Sequence, residues 1–261
     1  MPVEKKQYDT FAAKYSNVTD LPCSKIEADL IRTALGDCTG LSVLDIGGGS
    51  GLHARRAIDE ANASSVDVVD ISQEMLRVGQ TIPTQKEGGL DRIHWLEADA
   101  SKPLAEQISG DQKLKEGGYD VVMANWVFDH ATSLADLRGM WENVVGQLKS
   151  GGKFLGVRVY NMKPEYMVHG KYGATFSEIE EIPGQPGLKY VCGCLTDPPF
   201  SFGCTSMEET LTLADTIPKE LGLVDLKVVP FEETDTVKAD PEFWGEFLKS
   251  PNLAVVVGRK P

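Results

Sequence analysis

Three carboxylates in the first half of the chain are placed where acids bind ligands at the edge of a parallel sheet. Asp45 lies at the end of one short apolar segment, Asp70 ends a second, and Asp99 follows a third. In open α/β sheets, ligands bind beyond the carboxyl ends of the strands. A carboxylate at Asp70 accepts both hydroxyls of a ribose, and one at Asp99 accepts an adenine amino group. The three acids together predict a nucleoside-binding site.

A glycine-rich turn, Gly47-Gly48-Gly49-Ser50-Gly51, follows the first of these acids. Glycine lets the backbone turn sharply and approach a ligand closely. The helix predicted after the turn offers unpaired N–H groups and a positive dipole end, where a carboxylate is well placed. The amino-acid end of S-adenosylmethionine supplies such a carboxylate. A dinucleotide-binding loop is the alternative, but Leu52 stands where G-x-G-x-x-G requires its last glycine.

His130 is the first candidate for a general base. It ends the segment NWVFDH after the predicted fourth strand, and Asp129 beside it is the candidate orienting group. Alternatively, both residues simply begin the next helix. A base adds about 10²- to 10⁴-fold for a hydroxyl or thiol acceptor, whereas an amine needs only a desolvated pocket. Four residues at the end of the fifth strand and beyond it are predicted acceptor contacts: Tyr160, Asn161, His169 and Tyr172.

The elements that position these residues alternate along the chain. Strands are predicted at 41–46, 66–70, 93–97, 119–124 and 153–159, then at 223–230 and 253–258. Helices are predicted at 4–36 with a break near 20–22, at 52–62, from 73 with Ser72 as N-cap, at 134–148, at 207–221 and near 241–248. Alternating strands and helices require crossover connections and a buried parallel sheet.

Residues 160–205 interrupt this alternation and are rich in Gly, Pro, Tyr and Phe. The interruption predicts an insertion over the ligand edge of the sheet. Its aromatic side chains either wall an acceptor pocket or form a small core of their own. The three cysteines of this part of the chain, Cys192, Cys194 and Cys204, are spaced too tightly for a usual zinc site and have no nearby histidine, so no metal is predicted.

Four segments resemble the ordered motifs of class I S-adenosylmethionine-dependent methyltransferases: VLDIGGGSG at 43–51, VVDIS at 68–72, EADA at 97–100 and YDVVMANWVFDH at 119–130. The resemblance covers residues 41–160. YDTFAAKYS near the N-terminus and EFWGEFLKSPNLAVVVGRK near the C-terminus resemble members that methylate small metabolites in microbial natural-product pathways. The resemblance implies a Rossmann-like α/β fold with a seven-stranded, mostly parallel sheet, helices on both faces, an antiparallel last strand and an insertion after the fifth strand.

The resemblance also implies S-adenosylmethionine as cofactor, S-adenosylhomocysteine as product, and a role for each motif residue. Tyr8 and Tyr15 lie on a helix that covers the site, Tyr8 towards the acceptor; ordinary packing explains Tyr15 equally well. The implied division of the single domain is a helical lid (1–36), a cofactor-binding core (37–160), an acceptor-site insertion (161–206) and a C-terminal completion of the sheet (207–261). The implied cofactor-binding residues are Tyr15, Asp45, Gly47, Gly49, Gly51, Asp70, Ile71, Asp99, Ala100, Asn125 and Trp126.

Composition narrows the partners. The chain has 261 residues, with 26 basic and 39 acidic residues, and its net charge of -13 disfavours phosphate backbones and anionic membranes. No segment reaches the apolar length of a membrane span, and the N-terminus does not resemble a signal peptide. The odd number of cysteines, 5, fits a reducing compartment. We therefore expect a cytoplasmic monomer or homodimer that binds a small molecule.

The function that these features favour is methyl transfer to a small-molecule acceptor of secondary metabolism. The alternative is a methyltransferase-like protein without methyl transfer, which binds a partner or uses the cofactor as scaffold for another reaction, such as a pericyclic step. A nicotinamide-dependent oxidoreductase is disfavoured by Leu52 and by the absence of a Tyr-x-x-x-Lys pair.

Overall fold

The strands of the chain form two separate sheets. The computed structural model describes residues 8–9, 17–108 and 113–261. Its strands are β1 Ser42–Ile46, β2 Ser65–Asp70, β3 Ile93–Glu97, β4 Tyr119–Met123, β5 Leu148–Val159, β6 Ala174–Glu181, β7 Gly187–Cys194, β8 Phe200–Met207, β9 Val224–Val228 and β10 Leu253–Arg259. The main sheet has the order β3-β2-β1-β4-β5-β10-β9, and the small sheet has the order β6-β7-β8.

The main sheet confirms the fold class that the motifs imply. Strands β1 to β5 pair in parallel, and β10 is antiparallel to both of its neighbours, β5 and β9. The strand order reverses between β1 and β4. From β1, strands β2 and β3 extend the sheet in one direction, whereas β4 and β5 extend it in the other. A ligand crevice forms outside the carboxyl ends of the strands at such a point.

Helices cover both faces of the main sheet. They are α1 Pro22–Leu35, α2 Leu52–Asp59, α3 Gln73–Gly79, α4 Leu104–Gln107, α5 Leu134–Gln147, α6 Tyr166–His169, α7 Glu208–Leu211, α8 Thr216–Glu220, α9 Asp235–Ala239 and α10 Gly245–Lys249. The buried residues of α1 and α2 belong to one apolar cluster, and those of α5 belong to a second cluster on the opposite face.

Strand β1 shows why the sheet must be covered twice. All five of its residues are buried, with Val43 in the cluster of α1 and α2 and Leu44 in the cluster of α5. Successive side chains of a strand point to opposite faces, so a strand that is buried at every residue needs helices on both sides.

The helix boundaries follow local signals in the sequence. Ser72 caps α3 as predicted, because its hydroxyl accepts a hydrogen bond from the Met75 N–H at 3.1 Å. Lys153 on β5 donates to the carbonyls of Ala34 and Leu35 at 2.7 and 2.6 Å. These bonds satisfy carbonyls at the end of α1, and the positive charge of Lys153 stabilises the negative end of the helix dipole.

The predicted elements differ from the structure at several places. The predicted helix 207–221 is two short helices, α7 and α8, because Asp215 between them adopts a left-handed φ of 54°. Strand β5 begins at Leu148, directly after α5 and five residues before the predicted start at residue 153, so Gly151 and Gly152 lie within the strand. Helices α4 and α9 were not predicted, since each spans only 4 or 5 residues.

The insertion contains a regular antiparallel sheet where no strands were predicted. Residues 174–207 form β6, β7 and β8. Glycine, serine and threonine recur within these strands, and Gly193 and Gly203 sit where side chains would otherwise make the alternation visible. The sheet pairs β7 with both β6 and β8, so one continuous face presents the alternate residues of all three strands.

Gly139 in α5 tests the packing of this helix on the loop before α4. A Cβ on Gly139 would lie 2.1 Å from the Ser101 carbonyl oxygen, whereas a Cβ on Gly146 of the same helix would meet nothing within 4 Å. Gly139→Ala should therefore lower the free energy of unfolding by about 1–3 kcal/mol, because the backbone must shift. Gly146→Ala should raise it by up to about 1 kcal/mol, because alanine favours the helix. Denaturant unfolding measures both, and equal effects would contradict this packing.

Candidate functional site

A cavity of about 220 Å³ lies at the carboxyl ends of β1 to β4, under the small sheet. The tips of these strands, α1 and the face of the small sheet supply its walls. The structure brings many of the predicted site residues together here. Those that line the cavity are Tyr8, Gly47, Gly49, Asp70, Ile71, Asp99, Ala100, Asn125, Trp126, Asp129 and His130.

The glycine turn has a conformation that only glycine adopts easily. Gly47 has a φ of 70°, and a Cβ there would lie 2.8 Å from the Val127 Cβ. Gly51 has a φ of 74°, and its Cβ would lie 2.4 Å from the Trp95 ring. Gly47 lines the cavity, but Gly51 does not. Gly51, which was predicted as a cofactor-binding residue, lies off the cavity wall, where it packs on Trp95 at the start of α2.

Asp70 holds the turn and faces the cavity. Its Oδ2 accepts the Gly49 N–H and its Oδ1 accepts the Ser72 N–H, both at 2.8 Å. Burial raises the pKa of Asp70 to about 6, although these two N–H bonds oppose the shift. Each carboxylate oxygen has a second lone pair, so Asp70 can accept two ligand hydroxyls in addition to the backbone bonds.

Asp99 is anionic and fixed at the end of β3. Burial alone would raise its pKa, but hydrogen bonds from Lys102 and Ser101 hold the pKa of Asp99 below its usual value. Lys102 Nζ lies 2.8 Å from Asp99 Oδ2, and the Ser101 hydroxyl lies 2.6 Å from Oδ1. The carboxylate is thereby oriented beside Ala100, and both residues line the cavity.

Several polar atoms around the glycine turn are buried without a hydrogen-bond partner. Within the described residues they include both oxygens of Asp45, Nδ1 of His53 and Nδ2 of Asn125. His53 is in the first turn of α2, Asn125 follows β4, and both line the cavity. Burying such groups unpaired is unfavourable, so the two that line the cavity, His53 Nδ1 and Asn125 Nδ2, suit a ligand with its own donors and acceptors. The amino-acid end of S-adenosylmethionine carries both, and the residues present fit it.

Asp45 acts from beneath the turn rather than on the cavity wall. It is fully buried, and a Cβ on Gly48 would lie 2.7 Å from its Oδ2. Burial raises the pKa of Asp45 to about 7, and nearby His53 partly offsets this shift. The predicted direct cofactor contact is therefore not what the structure places here, because the turn covers the carboxylate.

His130 and Tyr8 form a polar pair beside strand β8 of the small sheet. The Tyr8 hydroxyl lies 2.7 Å from His130 Nε2, and the two rings meet edge to face with centroids 5.4 Å apart. Burial lowers the pKa of His130 to about 4. The imidazole is neutral at pH 7, which is the form that accepts a proton.

Asp129 ties the small sheet to the main sheet. Its Oδ1 accepts the Ser206 hydroxyl at 2.5 Å, and its Oδ2 accepts the Val159 N–H at 3.0 Å. Ser206 Oγ is also 3.0 Å from the Tyr190 hydroxyl. Burial raises the pKa of Asp129 to about 7. Both oxygens therefore accept hydrogen bonds from groups other than the His130 ring. Asp129 anchors β8 to β5 through these contacts, whereas the sequence predicted that it orients His130.

The small sheet gives the cavity an aromatic and thiol wall. Cys192 of β7 pairs with Phe176 of β6 and Phe202 of β8, so the three side chains share one face. Tyr190 and Cys204 pair on the same face, and Phe176, Tyr190 and Cys204 also pack together with Val159. The two interpretations of the insertion therefore combine: its aromatic side chains form a small core and line the cavity.

Four predicted acceptor contacts lie away from the cavity wall, and Tyr15 lies outside the described residues. Tyr160 is 39% exposed, His169 is exposed, and the Asn161 amide donates to Ser250 Oγ. Tyr172 is 2% exposed, stacks on Trp244 at 4.8 Å and donates to the Phe243 carbonyl. After β5 the chain runs towards α10, and it reaches the cavity only with β6. The four residues predicted as acceptor contacts precede β6 and therefore lie away from the cavity.

Glu27, Cys23 and His53 line the cavity but were not predicted as site residues. Glu27 is on α1, and its carboxylate lies 3.1 Å from His53 Nε2. A signal existed in the sequence: Glu27 stands three and four residues before Leu30 and Ile31, on the apolar face of its helix. An acid at such a position has to be paired or functional.

Two general findings concern the described part of the chain. None of its helices combines the length and the apolar character needed to cross a bilayer. Within the same residues, no group of three or more His, Cys, Asp or Glu side chains is arranged to hold a metal ion, and no disulfide joins the cysteines.

Comparisons with known proteins agree with the fold. Residues 44–154 match a family model described as a methyltransferase domain. The malonyl-[acyl-carrier protein] O-methyltransferase of Halalkalibacterium halodurans is 25% identical over 153 residues, which cover 58% of this chain and 50% of that protein. This chain thus spans about half the length of the curated relative that it matches.

Solved structures with low sequence identity share the architecture over most of the chain. The DhpI–SAM–HEP complex superposes with a TM-score of 0.58 at 18% identity, covering 98% of this chain and 97% of that one. The glycopeptide N-methyltransferase MtfA with S-adenosylmethionine gives 0.56 at 14% identity, covering 91% and 94%. CcbJ methyltransferase of Streptomyces caelestis gives 0.56 at 17% identity, covering 93% and 92%.

The buried acids predict that stability falls as pH rises. Burial raises the pKa of Asp45 to about 7 in the folded state, whereas the unfolded value is near 3.8. The folded chain then binds more protons between pH 4 and 7, so unfolding becomes easier across this window. Asp45→Asn should remove roughly 1–4 kcal/mol of this loss in the ligand-free protein. Thermal unfolding at pH 5 and pH 8 measures it, with exposed Asp91→Asn as control; an unchanged pH dependence would refute the assignment.

Proposed function

We propose that this chain, which belongs to the class I S-adenosylmethionine-dependent methyltransferases, transfers a methyl group to a small-molecule acceptor. One observation carries the proposal. A single cavity is lined both by the glycine turn with Asp70 and Asp99 and by the apolar face of the small sheet with His130. The first set suits a nucleoside with an amino-acid tail, and the second suits an acceptor beside it.

Methyl transfer requires no covalent bond between the protein and either reactant. Bound S-adenosylmethionine would supply a methyl group activated by its sulfonium: an acceptor nucleophile would bond to the methyl carbon in line with the breaking C–S bond, and S-adenosylhomocysteine would leave. The side chains hold the two reactants together and exclude water, and alignment of this kind is worth roughly 7–11 kcal/mol. The neutral His130 imidazole accepts the proton of a hydroxyl acceptor, directly or through the Tyr8 hydroxyl, which is 2.7 Å from Nε2.

The wall opposite the cofactor edge supports an apolar, aromatic acceptor. Phe176, Tyr190 and Phe202 form it together with thiols, and burial keeps the pKa of Tyr190 well above its usual value. Among the described residues of the cavity, Arg56 is the one lysine or arginine, and it lies 4.0 Å from Glu60, so a phosphate or carboxylate acceptor would find a single, shared counterion. A neutral or amine-bearing metabolite, such as a secondary metabolite, fits better. The glycopeptide N-methyltransferase among the structural relatives is in keeping with this.

Cofactor binding tests the first half of the proposal. We expect wild-type protein to bind S-adenosylmethionine in isothermal titration calorimetry, and Asp70→Ala to weaken binding about 10- to 100-fold, because two charge-assisted hydrogen bonds are lost. Asp91→Ala, an exposed change of the same kind, is the control and should leave affinity unaltered. No heat with wild-type protein at millimolar cofactor would end the proposal.

Turnover tests the second half. In a screen of aromatic alcohols, phenols and amines, we expect S-adenosylhomocysteine to accumulate with some acceptors, which separates methyl transfer from a purely scaffolding use of the cofactor. With a hydroxyl acceptor, His130→Ala should lower kcat about 10²- to 10⁴-fold while the cofactor Kd changes little. His169→Ala removes an exposed histidine outside the cavity and should be silent. Equal turnover of wild type and His130→Ala would show that His130 is not the base.

A further inference from the structure

Glu27 places a carboxylate at the cavity where the described chain provides no matching cation. Glu27 is on α1, is 9% exposed and lines the cavity. Its partners are two ring nitrogens: His53 Nε2 is 3.1 Å from Oε1, and Trp126 Nε1 donates to Oε2 at 3.1 Å. The two rings belong to different segments at the carboxyl ends of the strands: His53 follows the glycine turn after β1, and Trp126 follows β4.

Neither ring brings a permanent positive charge to the carboxylate. Indole is a neutral donor, and a histidine offers a positive charge only when it is protonated. No lysine or arginine of the described residues is paired with Glu27; Arg56, which also lines the cavity, lies 4.0 Å from Glu60. A buried carboxylate without a cation is costly, so its retention indicates a positively charged ligand.

The neighbours of Glu27 do not compensate for its charge. Burial, and after it the Glu27 carboxylate, raises the pKa of the Cys23 thiol to about 12, which keeps this thiol neutral. Trp126 adopts a φ of 63°, a left-handed conformation that is unfavourable for a residue with a side chain. Its N–H donates to the Val157 carbonyl at 2.8 Å, so the backbone is held in the conformation from which the indole contacts Glu27.

We propose that Glu27, held by His53 and Trp126, is the binding site for an alkylammonium group in this cavity. This inference rests on the proposed function. The ammonium belongs either to the amino-acid end of the cofactor or to an amine-bearing acceptor. The contact with His53, directly after the glycine turn, favours the cofactor, and unpartnered Nδ2 of Asn125 is a donor for the carboxylate of the same amino-acid group.

The test removes each partner of the contact in turn. Calorimetry compares S-adenosylhomocysteine with its deaminated analogue, in which hydrogen replaces the ammonium group, on wild type, Glu27→Gln and Glu142→Gln. Glu142 is exposed on α5, so its variant is a control with the same change of charge. Wild type should prefer S-adenosylhomocysteine, and Glu27→Gln should lose about 10- to 100-fold of this preference while it binds the analogue as wild type does. Binding of the analogue also shows that the variant is folded.

A second arm identifies an acceptor source. The complex with S-adenosylhomocysteine is titrated with phenethylamine and with 2-phenylethanol, in which a hydroxyl replaces the ammonium group. A preference for the amine that Glu27→Gln abolishes, with cofactor preference unchanged, assigns the site to the acceptor. If Glu27→Gln alters neither preference, the ammonium site is overturned. A wild-type protein that binds neither nucleoside overturns the proposed cofactor instead. The two titrations are then run on the free protein, and a preference for phenethylamine that Glu27→Gln abolishes supports the ammonium site, whereas an equal preference in both proteins overturns it.

Discussion

Burial of carboxylates at one edge of the main sheet is the constraint on which the site depends. Asp45, Asp70 and Asp129 are all covered by other elements, and burial raises the pKa of each. Water would solvate these carboxylates, but in a low-dielectric interior each needs hydrogen-bond donors from the protein or from a ligand. The backbone N–H groups of the glycine turn and of β5 supply part of them. Of the three, Asp70 lines the cavity with lone pairs left over from its backbone bonds, and these can accept donors of a ligand.

The small sheet turns this polar edge into an enclosed site. Ser206 on β8 donates to Asp129, so the anchor of the insertion is one of the buried acids themselves. The face beyond the anchor is aromatic and thiol-rich, and it lies opposite the acids across the cavity. In the proposed function, such a division would separate a wall that orients an apolar acceptor from an edge that binds a charged nucleoside.

Motif residues on the main sheet were predictable from the sequence because their positions follow from periodicity. An apolar strand followed by a glycine or an acid marks the carboxyl end of that strand, and parallel strands bring these ends together. The cap at Ser72 was confirmed, and so were the seven-stranded, mostly parallel sheet and the antiparallel last strand that the family resemblance implies. Residues after β5 were not predictable in this way, because nothing in the spacing shows that Tyr172 turns into the core while Phe176, four residues later, lines the cavity.

The sequence by itself determined the α/β architecture and the acids and glycines of the ligand edge, since local patterns of 2 and 3.6 residues and the rules of parallel sheets suffice for these. Only the tertiary structure decided the pairing of Glu27 with Trp126, the anchor role of Asp129 and the wall of the small sheet. Each of these joins residues far apart in the chain. Such contacts depend on how whole elements pack, and no local pattern of residues encodes that packing.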